Sequence, residues 1–409
     1  VLMGLFLHLF LIWYRNRNRE RESLESTLLQ VAVPRDNEIK IDAAEQLFSS
    51  LAGIGAGGLM KLAPHLSFEI VGMPGDIRFY VHTPNKLRDL VEKQINGAYP
   101  EADIQVVDDK TKRKEGTVIG NEYNIFARVG KTAFASLGLS KTNYLPTKVY
   151  KELPVDPLSS ITSVLAKMRD GEGAAIQILV SHSNSKWQKA GRGYIAKTKK
   201  IEANPETAKY TSDPKEIEAI ENKIGKPGFN FVVRIVVSSN TTEAAKAHLE
   251  NIVNAFSQFD GLNSFAKNKH YFRAMFMTDF IYRYMPIFGS TSVLTSEELA
   301  TIFHFPNKSV STPHIFWITA KRAPAPAQIP ESGLYLGKST YRGLSKLVYM
   351  DLDDRRRHMY IIGKTGTGKS EFLKDMIMQD IRNGEGLAVI DPHGDLIDDV
   401  LTLIPSKRA

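Results

Sequence analysis

Residues Gly363 to Ser370 read GKTGTGKS, and no other stretch restricts so tightly what this chain can fold into. The run fits G-x-x-x-x-G-K-[ST], follows the apolar segment His358 to Ile362 (HMYII) and leads into a helical pattern over Glu371 to Arg382. That spacing predicts a strand, a phosphate-binding loop and a helix in direct succession. Glycines allow the backbone to curl with its N–H groups turned inward, and the helix N-terminus adds a positive partial charge. Gly363, Lys364, Thr365, Gly366, Thr367, Gly368, Lys369, Ser370 and Glu371 are therefore the candidate ATP-binding residues. Lys369 would reach the β- and γ-phosphates and Ser370 would ligate Mg²⁺, which makes these two the candidate catalytic groups.

Beyond the loop, Gly384 to Gly386 turns the chain into the apolar run Leu387 to Ile390, closed by Asp391-Pro-His-Gly-Asp395 and a helical pattern over Leu396 to Leu403. The order β-α-β-α predicts the start of a parallel α/β sheet, as in an N-terminal part of a RecA-like P-loop NTPase. Asp391, at a strand end, is a second candidate for Mg²⁺ through water. The other reading makes it a second-strand residue near the nucleotide or a subunit interface.

At the opposite end, Val1 to Tyr14 (VLMGLFLHLFLIWY) is nearly all apolar and is followed by Arg15, Arg17, Arg19 and Arg21. Fourteen helical residues span about 21 Å, short of the roughly 30 Å hydrocarbon core. Read as the tail of a transmembrane helix, the run places Trp13 and Tyr14 at the membrane interface and the rest of the chain in the cytoplasm. A signal-peptide core or a buried helix are the alternatives, but no small-residue cleavage site follows. The opening Val1, and an end some forty residues past the loop lysine, suggest a fragment of a longer protein. No cysteine is present, which excludes disulfides, thiolate metal sites and cysteine nucleophiles. A net charge of +8 is compatible with nucleic acid or anionic lipid without selecting either.

Between these ends the periodicity alternates. A strand (28–33), a helix (42–51), two strands (66–72 and 77–82), a helix (85–96) and a strand (103–107) give β-α-β-β-α-β, the ferredoxin-like arrangement. The second half repeats this in outline: a strand at Tyr123 to Val129, a helix over Pro157 to Arg169 capped by Asp156, strands at Ala174 to Ser181 and Phe229 to Ser238, and a helix over Thr241 to Phe256. An α+β region of duplicated ferredoxin-like units is the expectation. The expected boundaries are a membrane anchor at 1–22, first half 23–110, second half 111–322, proline-rich linker 323–332 and ATPase start 333–409.

Several smaller features bear on chemistry. Gly53 to Gly58 spells G-x-G-x-x-G but follows a helix and precedes a strand, the reverse of a dinucleotide site, so it reads as a connection. Lys110 to Gly116 is a solvated linker or a phosphate-contacting patch. The insertion at 184–227 carries Lys186, Lys189, Arg192, Lys197, Lys199 and Lys200 with Trp187 and Tyr194 among them, which suits either a single-strand or phosphate-backbone contact or a solvated arm. The aromatics of Phe272 to Phe288 read as packing, and His304, with no second ligand at metal spacing, as structural.

The run Asp354 to Leu396, with Arg357-His358 before the loop and DPHGDL at Asp391 to Leu396, resembles the FtsK/HerA superfamily of pumping ATPases, most of all its conjugation and type IV secretion, coupling-protein-like branch. Leu294 to Ala300, followed by His304-Phe-Pro306, is similar to the segment before the motor in those proteins. The resemblance implies an ATP- and Mg²⁺-dependent DNA or DNA-protein translocation motor, a homo-hexameric ring, a single-pass cell-membrane anchor and secretion-system partners. Within the superfamily, a secretion-assembly ATPase or a HerA-like DNA-processing translocase is the alternative. Outside it stands a nucleotide-switched membrane scaffold. The acidic pair of a Walker B strand is missing here, so turnover is expected of the full-length protein rather than of these residues alone.

Overall fold

The computed structural model describes residues 10, 13–14, 16–55, 62–107, 123–126, 130–202, 213–270, 272–287, 292–318, 324–341, 344–364 and 366–406. They fall into two compact units, residues 1–321 and 322–409.

In the first unit a short helix α1 (Arg19–Leu24) leads to β1 (Ser26–Ala32), α2 (Asp42–Leu51), β2 (His65–Met73), β3 (Asp76–Pro84), α3 (Arg88–Ala98) and β4 (Asp103–Val106). Next come β5 (Lys131–Leu139), α4 (Leu158–Leu165), β6 (Gly173–His182), an inserted pair α5 (Lys186–Glu202) and α6 (Pro214–Ile224), β7 (Gly228–Ser239), α7 (Thr242–Ala255) and β8 (Phe265–Lys267). The unit closes with α8 (Arg273–Ile281), β9 (Ser292–Thr295) and α9 (Ser296–Ile302). Among the described residues the strands form one nine-stranded sheet in the order β4-β1-β3-β2-β6-β7-β5-β8, with β9 on β7, and each of these ladders is antiparallel. The order within each half is the same, fourth-first-third-second, and the halves join where β2 pairs with β6.

Period-2 side-chain alternation gives this sheet two different faces. Leu66, Phe68 and Ile70 of β2, Ile176 and Ile178 of β6, and Val233 and Ile235 of β7 point into one large core with α2, α3, α4, α7 and α9. Phe68 sits there between Phe48 at 4.8 Å and Phe303 at 5.2 Å. Truncating such a fully buried ring to alanine typically costs about 3–5 kcal/mol. The opposite face is covered by α8 through Phe276 and Phe280, and it is polar at its centre, with Ser67, Glu69, Gln177 and Arg234 all buried. Local signals set the helix starts: Thr241 accepts from the Ala244 N–H, Asp213 from Lys215, and Thr295 with Glu298 completes a capping box.

The first strand of the second half is β5, not Tyr123 to Val129. Tyr123 and Ile125 reach the polar face outside any ladder, the tyrosine hydroxyl donating to Glu69 Oε2 at 2.6 Å. The α4 helix is also shorter than expected, ending at Leu165. Of the glycine cluster, Gly53 and Gly55 lie just after α2, whereas residues 56–58 and the basic run 110–116 lie outside the described residues. Most of Val1 to Tyr14 lies outside them too, and among the described residues no helix is long and apolar enough to cross a membrane.

The second unit holds an antiparallel hairpin, β10 (Leu334–Tyr341) with β11 (Leu344–Met350), then α10 (Leu352–Arg355), α11 (Lys369–Asn383) and α12 (Asp395–Leu403). Gln379 on α11 mimics a strand, accepting from the Tyr335 N–H at 2.9 Å and donating to its carbonyl at 2.8 Å. Met378, Ile381 and Val400 pack α11 against α12. The parallel strands expected at His358 to Ile362 and Leu387 to Ile390 do not form ladders among the described residues. A strand exists only by pairing, and Tyr360, Ile362 and Ile390 stay exposed at 87%, 78% and 96%.

Candidate functional site

The loop Gly363 to Ser370 meets α11 at Lys369, the first residue of that fifteen-residue helix. Gly366 and Gly368 take φ of +82° and +88°, left-handed values that cost a side-chain-bearing residue about 1–2 kcal/mol. At Gly363 an added Cβ would lie 2.5 Å from Thr367 Oγ1 and 3.2 Å from the Lys369 side chain. The loop closes on itself, with the Thr367 N–H and Oγ1 donating to the Lys364 carbonyl at 3.2 and 2.7 Å. Lys369 Nζ donates to the carbonyl of Gly363 at 2.5 Å, so its ammonium is held inside the curl. Thr365 lies outside the described residues.

These residues fit a polyphosphate. Glycine is required at the closest approach, the ammonium and the helix N-terminus supply positive charge, and Ser370 at the rim is exposed for a metal. Glu371 is engaged differently: its carboxylate takes a 2.7 Å bond from Lys374 Nζ, which also reaches Asp399 at 3.0 Å and so ties α11 to α12.

Asp391 is committed to the backbone. One carboxylate oxygen accepts from the His393 N–H at 3.1 Å and the other from the Leu396 N–H at 2.9 Å, bracing the first turn of α12. The His393 bond comes first among the causes that hold its carboxyl below the usual range. Among the described residues no group of three or more histidine or acidic side chains is placed to hold a metal.

In the first unit, His304 is structural: its Nδ1 lies 2.9 Å from the Ala300 carbonyl and its Nε2 3.0 Å from Asp156 Oδ1, both side chains being buried. Trp187 and Tyr194 are also committed, the first buried against Gly228 and the second stacked on Tyr144 at 5.3 Å. A feature that the sequence reading missed is a buried charge network on the polar face of the sheet. Arg283 bonds Glu69 there, and Arg234 donates to the carbonyls of Asp279 and Tyr284. Its signal was present, since Glu69 and Arg234 each interrupt an otherwise apolar strand. Beside it opens a cavity of about 500 Å³ lined by Arg19, His65, His82, Lys86, Asn230 and Tyr284 among others.

The model of the family described as helicase HerA, central domain, matches residues 334–398, which carry the loop, α11 and the start of α12. This places a HerA-type ATPase relationship on the second unit and implies nucleotide binding and ATPase activity in the full-length protein. No curated protein matches the chain at a significant level. The model described as domain of unknown function DUF8128 matches residues 16–318, about three quarters of the sequence and nearly the whole of the duplicated sheet. The chain therefore belongs to the DUF8128 family, with a segment related to the HerA central domain following that family's own domain.

Proposed function

We propose that this chain is a membrane-anchored subunit of a ring-forming, ATP-driven motor that moves DNA or a DNA-protein substrate, in the manner of the coupling ATPases of conjugation and type IV secretion. The observation that carries the reading is the glycine cradle closed around the Lys369 ammonium at the N-terminus of α11. Bound Mg-ATP would supply the free energy of phosphoryl transfer to water. The loop amides and the N-terminus of α11 would offset the phosphate charge, Lys369 would exchange its Gly363 contact for a phosphate oxygen, and the Ser370 hydroxyl would hold the metal. The arginines after Tyr14, with Trp13 and Tyr14 at the interface position, support a single-pass anchor and a cytoplasmic bulk. That anchor separates this reading from a soluble HerA-like DNA-processing translocase; a secretion-assembly ATPase would share it.

A nucleotide-switched membrane scaffold is the second reading, and it is compatible with an Asp391 whose two carboxylate oxygens are already engaged by backbone N–H groups. Steady-state ATP turnover by the full-length protein, with and without duplex DNA, separates the two. A motor turns over ATP faster with DNA and loses turnover in Lys369→Ala; a switch binds ATP without DNA-stimulated turnover.

A further inference from the structure

The inserted helices α5 and α6 form a fixed platform rather than a loose arm. Lys223 of α6 is buried, and its ammonium donates to Glu298 Oε1 at 3.0 Å and to the Leu145 carbonyl at 3.1 Å. Glu298 also accepts the Thr147 and Thr295 N–H groups at 2.8 and 2.9 Å, so this anchor belongs to the body of the second half. Gly191 lets the two helices close up, since a Cβ there would lie 2.7 Å from Ile224.

Two faces of α5 follow from the helical period. Trp187, Gly191, Ile195 and Thr198 are buried along one side. Lys186, Lys189, Arg192, Lys197 and Lys200 fall on the opposite arc and are exposed. Of the basic residues on this helix, Lys199 alone has an ion pair among the described residues, with Glu221 at 2.9 Å. From Lys186 to Lys200 the helix rises about 21 Å. Five cations that have no ion pair among the described residues, carried along one helix, would lower their energy beside a polyanion, and duplex DNA carries about one negative charge per 1.7 Å of axis.

The packing also selects among polyanions. Trp187 and Tyr194 are used internally, which leaves this face without an aromatic platform for unstacked bases. The apolar side of α5 is buried against α6, which leaves nothing to insert into a lipid surface. We propose that the outward face of α5 is a sequence-independent contact for the phosphate backbone of duplex DNA. This inference rests on the reading of the chain as part of a DNA-moving protein and assigns the first unit a direct share in holding that DNA.

The test is equilibrium binding of a fluorescent random-sequence duplex to the full-length protein between about 50 and about 200 mM salt. The wild type is compared with a variant carrying glutamine at Lys186, Lys189, Arg192, Lys197 and Lys200, and with a control carrying Lys167→Gln and Lys246→Gln. Each lost phosphate contact should reduce the slope of log affinity against log salt by about 0.9, so losing all five lowers it by about 4.5. Affinity at the low-salt end should fall by more than about 10-fold. ATP binding at Lys369 should not change. An unaltered slope with normal duplex binding overturns the α5 contact and leaves the motor reading standing. Equal losses per charge in the control reduce the effect to net charge and also overturn it. Loss of binding to anionic vesicles rather than to duplex reassigns the face to a membrane surface. A wild type that binds ATP but no duplex removes both the contact and the DNA substrate.

Discussion

Arg283 holds Glu69 through two hydrogen bonds, Nε to Oε1 at 2.6 Å and Nη2 to Oε2 at 3.1 Å, at a point where both side chains are almost wholly shielded from water. The same arginine has φ of +54°, a left-handed backbone that a side-chain-bearing residue adopts only when its surroundings fix it. Its carbonyl lies 2.7 Å from His65 Nε2, so the turn after α8 is fastened to β2 through both its side chain and its main chain.

Removing one partner should therefore cost more than the pair itself is worth. Glu69→Ala or Arg283→Ala leaves a buried charge uncompensated, and the first unit should lose about 3–5 kcal/mol in urea unfolding. Replacing both by apolar residues of similar volume should recover much of that loss. A single-variant loss below about 1 kcal/mol would mean that the pair is solvated.

The two histidines beside this network should make the fold sensitive to acid. Burial pushes His65 down to about 4, and burial, followed by the nearby Arg283 charge, pushes His82 well below its ordinary value. The unfolded chain then takes up protons at these sites near pH 6.5 while the native chain does not. Their contribution is complete above that pH and is lost as pH falls from about 6.5 towards 4, at up to about 1.4 kcal/mol per unit for each histidine. Unfolding midpoints compared at pH 7 and pH 5 should show the loss, and His65→Asn should flatten it. A midpoint unaffected by pH would contradict the burial.

Docking of the α5–α6 pair turns on one glycine. A Cβ at Gly228 would lie 2.6 Å from the Trp187 ring, at the first residue of β7. Gly228→Ala should cost about 1–3 kcal/mol through overpacking and expose Trp187 to a quencher. Unchanged tryptophan quenching would show that the ring is not seated there.

Gly363→Ala should weaken ATP binding while leaving far-UV circular dichroism unchanged, because the added methyl occupies the space of Thr367 Oγ1 inside the loop. A loss of about 10-fold or more in affinity is expected, corresponding to roughly 1.4 kcal/mol. Wild-type affinity in this variant would show that the loop opens without cost.

Much of this could be read from local pattern. The periodicity of the strands β2 and β3 and of the helix α2 nearly fixes their limits, and a threonine followed three residues later by a glutamate, Thr295 and Glu298, is the local pattern that starts α9. The strand β5 was not legible because Ala133, Ala135 and Gly138 give KTAFASLGL little amphipathic contrast, whereas Tyr123 and Ile125 imitate a strand without pairing as one. The partners Glu69 and Arg283 are 214 residues apart, and no local rule connects them. At the candidate site the loop was legible because its chemistry is contained in consecutive residues. Asp391 was ambiguous for the opposite reason, since metal binding and bracing the Leu396 N–H both suit an aspartate at that position.

The most direct measurement is the equilibrium affinity of the full-length protein for ATP in the presence of Mg²⁺, compared with that of Lys369→Ala. The Lys369 ammonium is held inside the loop by the Gly363 carbonyl, and a charge-assisted bond to phosphate is worth about 1.5–3 kcal/mol. The expected result is an affinity lower by about 10- to 100-fold in a chain whose first unit unfolds as in the wild type. An equal affinity in the two proteins would contradict the assignment of GKTGTGKS as the nucleotide site.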